Sequence, residues 1–87
     1  MSKVAKEITI INSQGLHARP AALFVQIATR FNSRIIVKKD KEKVNGKSIM
    51  GILMLAAQCK SKITIEADGE DAQEAIEELE KFLTRNE

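Results

Sequence analysis

Apolar and polar positions alternate around Ile8 and Ile10, with Glu7, Thr9 and Ile11 between and after them, which predicts a strand over residues 4–11. The run NSQG, residues 12–15, breaks it. From Arg19 to about Phe31 the period changes. Ala21, Phe24, Val25, Ala28 and Phe31 fall at helical spacings, and Pro20 suits a first turn. Alternation resumes at 34–39, turns through Asp40 and Lys41, and continues in a short strand at 42–45. Residues 48–57 are apolar almost all round, with Ser48 placed as an N-cap. Residues 62–68, KITIEAD, form the last alternating run. Ala72, Ala75, Ile76, Leu79 and Leu83 then share one helical face, with Asp71 and Glu74 near its start, where the helix dipole favours them. The predicted order is β-α-β-β-α-β-α. Right-handed crossovers put all the helices on one face of one sheet, an open-faced α+β sandwich.

With 87 residues, 44% of them apolar, the chain is expected to form one domain over residues 1–87 around a single core. No run is long enough to span a membrane, and the N-terminus leads into alternation rather than an apolar block, so neither a signal peptide nor membrane insertion is expected. Cys59 has no cysteine to pair with, which fits a cytoplasmic setting, and it reads as a bystander thiol. One histidine and one cysteine do not make a metal-ligand set, and no cofactor is implied.

Charge is unevenly spread. The net +2 divides into +9 over residues 1–62 and −7 over residues 63–87. The basic part suits an acidic partner or a phosphate ligand, or simply solvated faces. An RNA-binding sheet would need stacking aromatics. The chain has no Tyr or Trp, and Phe24, Phe31 and Phe82 are expected to face the core, so nucleic acid is not an expected partner.

The only histidine lies in GLHARPAA, residues 15–22. Gly15 permits a sharp turn and Pro20 sits in the first helical turn, so His17 and Arg19 are expected at a helix mouth. Unpaired N–H groups and the dipole make such a mouth an anion site. The neutral imidazole is the nucleophilic form, and Arg19 could hold a phosphoryl oxygen. No spaced Asp and Ser complete a hydrolytic triad. These residues alone leave two readings open: a phosphohistidine site, or a surface histidine near a helix start.

GLHARPAALFVQIA followed by VNGKSIMGILMLAA resembles HPr, the histidine-containing phosphocarrier family of the bacterial sugar phosphotransferase system. The likeness runs from about Lys6 to Phe82, with both motifs in the family's order and at its separation. It implies a four-stranded antiparallel sheet of order 1-4-2-3 with three helices on one face. It implies that His17 accepts a phosphoryl group on Nδ1 from phosphorylated enzyme I, charged by phosphoenolpyruvate, and passes it to IIA domains. The chain is then a monomeric carrier within a relay, not a stand-alone enzyme. Arg19 corresponds to the family's arginine beside the histidine, and Ser48 to its regulatory serine. A serine kinase/phosphorylase and a transcriptional regulator are the further partners implied. Phosphate on Ser48 would face the acidic surface that the family implies for enzyme I, with Lys47 placed to screen it.

The second helix can bury only one side. Ile52, Leu55 and Ala56 are the expected core positions. Ile49, Met50, Leu53 and Met54 are left outward as a docking patch, which methionine suits, and the resemblance adds Ala22 and Gln26 as its rim. Two alternatives stand beside sugar uptake. One is a nitrogen-branch regulatory phosphocarrier, to which ILMLAA is similar, whereas KSIMG is similar to the sugar branch. The other is an interaction module that docks through the methionine patch and carries no phosphate.

Overall fold

The computed structural model describes residues 3–85; residues 1, 2, 86 and 87 of the expected domain lie outside the described part. The elements are β1 (Lys3–Thr9), α1 (Ala18–Thr29), β2 (Arg34–Lys39), β3 (Glu42–Asn45), α2 (Ile49–Leu55), β4 (Lys62–Asp68) and α3 (Ala72–Leu83). The strands form one antiparallel sheet in the order β1-β4-β2-β3, as expected.

Register follows from the alternation. Ile8 pairs with Ile63, Val37 with Ile65 and Ile35 with Ala67, so the branched side chains share one face. All six are buried. On that face lie Phe24 and Ala28 of α1, Ile52 and Leu55 of α2, and Ile76, Leu79 and Leu83 of α3. The opposite face carries Lys3, Glu7, Arg34, Lys43 and Lys62 in solvent. There Lys38 Nζ donates to Glu66 Oε2 at 2.6 Å and holds that carboxyl below the usual range, with help from Lys3 and Lys43. Helix α1 packs against both α2 and α3.

Three of the boundaries that differ from the sequence reading have a visible cause. Strand β1 stops at Thr9, although Ile10 is buried. Ile10 still bonds the segment before β4, its N–H donating to Ser61 O and its carbonyl accepting from Lys60 N, and the backbone turns away at Ile11, whose N–H donates to Leu83 O at the end of α3. Helix α1 ends at Thr29 because Arg30 N and Phe31 N donate to the carbonyls of Ile27 and Ala28, tightening its last turn. Helix α2 ends at Leu55, and this corrects the core assignment of Ala56. Ala56 is a left-handed C-cap at φ 53°, exposed, and the buried place passes to Ala57. A 3.6-residue period cannot be extended through a residue that reverses the chain.

Asp71 does not cap its own helix. Its carboxylate accepts from Ser33 Oγ, Asn32 N (2.8 Å) and Ser33 N (2.9 Å), tying the α1–β2 loop to the start of α3. The Ser33 hydroxyl bond, then the Asn32 N–H, lowers the Asp71 pKa from its ordinary value.

Candidate functional site

The segment between β1 and α1 is held at both ends. Ile11 N and Asn12 N donate to Leu83 O at 2.9 and 3.3 Å, and Leu16 N donates to Ala57 O at 2.7 Å. Gly15 turns the chain at φ 67°, and the Leu16 side chain is fully buried beyond it. Gly15 lies against the loop after α2. A Cβ there would stand 2.6 Å from Ala57 O, 2.9 Å from Gln58 Cα and 3.1 Å from Cys59 N. The sequence identifies Gly15 as a turn residue; its backbone neighbours come from a loop more than forty residues away and leave no local signal.

His17 follows as the N-cap residue of α1, extended (φ −135°, ψ 163°) and exposed, with no side-chain bond to the helix. Ala18 then takes φ 51°, a left-handed conformation that costs an L-residue about 1–2 kcal/mol. Buried Leu16 on one side and buried Pro20 on the other hold it there. Arg19 is exposed and lines a cleft of about 130 Å³ with Asn12, Gln14, Pro20, Leu23 and Phe82. The first turn of α1 has no acidic residue, so no carboxylate competes for its free N–H groups. The site therefore offers an exposed imidazole, an exposed guanidinium and a helix N-terminus.

Ser48 sits at the head of α2, where its Oγ accepts from Gly51 N at 3.1 Å. Lys47 does not serve as its screen: Lys47 Nζ donates to Phe31 O at 2.6 Å and its N–H to Asn45 Oδ1. Beyond Ser48, α2 exposes Ile49 (42%), Met50 (63%), Leu53 (36%) and Met54 (72%) on the side away from Ile52 and Leu55. Ala22 is half-buried on the neighbouring helix. Gln26, expected on the rim of that patch, is exposed and lines the groove between α1 and α3. Cys59 is half-buried, its thiol 3.5 Å from Ile11 O.

Comparison with known proteins matches residues 4–85 to a family model described as "PTS HPr component phosphorylation site". The chain belongs to the HPr family. Among curated HPr relatives, the HPr-like protein Crh of Halalkalibacterium halodurans is 50% identical over 82 residues, 94% of this chain and 98% of that one. The solved phosphocarrier protein HPr of Bacillus anthracis superposes with a TM-score of 0.92 at 48% identity, covering 95% of this chain and 99% of its own. Bacillus subtilis Crh, described as a catabolite repression protein that forms a swapped dimer, matches at TM-score 0.74 and 52% identity over 82% of each chain. The HPr assignment makes the protein a phosphocarrier of the phosphotransferase system. Among the described residues no helix is long and apolar enough to cross a membrane.

Proposed function

We propose that His17 is the residue that carries the phosphoryl group, taking it from phosphorylated enzyme I and delivering it to IIA domains of cytoplasmic sugar uptake. The observation that carries this reading is the exposed, unbonded His17 at the carboxylate-free mouth of α1, with Arg19 two residues on. A ring nitrogen attacks phosphorus, and the bond from phosphorus to its donor breaks as the new N–P bond forms. Arg19 and the first-turn N–H groups face the charge on the phosphoryl oxygens as it passes. Ile49, Met50 and Leu53 supply an apolar surface for donor and acceptor alike, edged by Ala22 of α1. Phosphate on Ser48 would bring about −2 charge beside that surface and weaken docking of an acidic partner.

The test is incubation of the protein with phosphoenolpyruvate and enzyme I. Wild type should gain one acid-labile phosphoryl group, and His17→Ala should gain none. Equal labelling of the two would remove His17 from the role. A second reading, regulation through Ser48 without delivery to a IIA domain, draws support from the likeness to Crh. It predicts labelling of Ser48 by a serine kinase together with no transfer from His17 to any IIA domain.

A further inference from the structure

Helix α1 has two flanks, one against α2 and one against α3, and the second is also open to solvent. Between α1 and α3 runs a groove of about 430 Å³. Leu23, 40% exposed, and half-buried Ile27 and Phe82 supply its apolar surface. Among the described residues its rim is cationic: Arg30, Lys81 and Arg85 against one acid, Glu78, whose carboxylate lies 3.5 Å from Lys81 Nζ. Leu23 and Phe82 also line the smaller cleft beside Arg19, so the two depressions join end to end. Arg19, Leu23, Gln26 and Arg30 recur every three or four residues along one stripe of α1. At 1.5 Å per residue that stripe is about 16 Å long, three turns of a docked helix.

The geometry points to this groove as a second protein-docking surface, distinct from the α2 patch, that takes an acidic amphipathic helix from a partner. Both walls are helices whose backbone groups bond internally, so an added strand would find no edge to pair with. A helix needs only an apolar channel and flanking charge of the opposite sign, and both are present. Nucleic acid fits less well. Among the described residues Phe82 is the one aromatic lining the groove, too few for a run of stacked bases. The inference does not depend on phosphoryl transfer by His17.

The test uses the full chain, ¹⁵N-labelled, and a synthetic helical peptide of about fourteen residues with leucines at i, i+3, i+4 and i+7 and glutamates elsewhere. Amide shifts should concentrate at Leu23, Ile27, Arg30, Lys81 and Phe82, and binding should weaken as salt is raised. Arg30→Glu and Leu23→Ser, both at exposed positions, should each weaken binding by about tenfold while the amide spectrum stays folded. Four results would overturn the proposal. They are no binding at millimolar peptide, equal binding of a peptide with lysine in place of every glutamate, shifts centred on Ile49 to Met54, and the same shifts appearing without peptide as protein concentration rises. The last would assign the groove to a second copy of the chain.

Discussion

Gly15→Ala adds one methyl group at the turn before His17. The residue would have to keep φ near 67°, which costs an L-residue about 1–2 kcal/mol. Its Cβ would stand 2.6 Å from Ala57 O and 2.9 Å from Gln58 Cα, both backbone atoms that cannot swing aside. Overpacking of this kind adds about 1–3 kcal/mol. The smaller conformational entropy of unfolded alanine returns only about 0.4–1 kcal/mol. Together these give a loss of about 3 kcal/mol. At about 4–8 °C per kcal/mol for a domain of this size, the melting temperature should fall by about 12–24 °C. Urea unfolding followed by circular dichroism measures the loss directly, and an unchanged slope would keep the comparison two-state. Relief of the clash should separate the 57–59 loop from the turn and break the bond from Leu16 N to Ala57 O, so the His17 amide signal should move as well. A loss below about 1 kcal/mol with an unmoved His17 signal would refute the argument from Cβ contacts and backbone strain.

Ser48→Ala removes the Oγ acceptor of Gly51 N and should lower stability by about 1 kcal/mol, whereas Ser48→Asp keeps a capping oxygen and should lose less; thermal melts compare them. Met50→Glu, at a position 63% exposed, should change stability by no more than about 0.5 kcal/mol, and enzyme I kinetics should show a raised KM. The depressed pKa of Asp71, set first by the Ser33 hydroxyl, makes a stabilising contribution that is complete at neutral pH. It is lost as pH falls below the ordinary aspartate value and through the lower folded one. Asp71→Asn places an amide donor against the Asn32 or Ser33 N–H, so it should be less stable at neutral pH and should lose less on acidification, measured as urea midpoints at about pH 7 and pH 3.

Local pattern determined most of the architecture. Alternation at 34–39 and 62–68, and the apolar stripe from Ala72 to Leu83, carry their own period, so strands β2 and β4 and helix α3 were readable before any packing was known. The outward set Ile49, Met50, Leu53 and Met54 was also legible, because a helix on an open-faced sheet has only one side to bury. The motif around His17 marked the helix mouth, and Gly15 marked the turn. Tertiary structure decided what depends on distant segments. Ala56 was misassigned because the chain reverses at that residue, an event outside any helical period. Gly15 is confined by the 57–59 loop, Asp71 bonds backbone almost forty residues away, and Lys47 is drawn to Phe31 O. The groove beside Leu23 and Phe82 exists only because α1 and α3 lie together. A sequence period records which way a side chain points along its own element; the atoms it meets there belong to whichever segment the fold brings opposite.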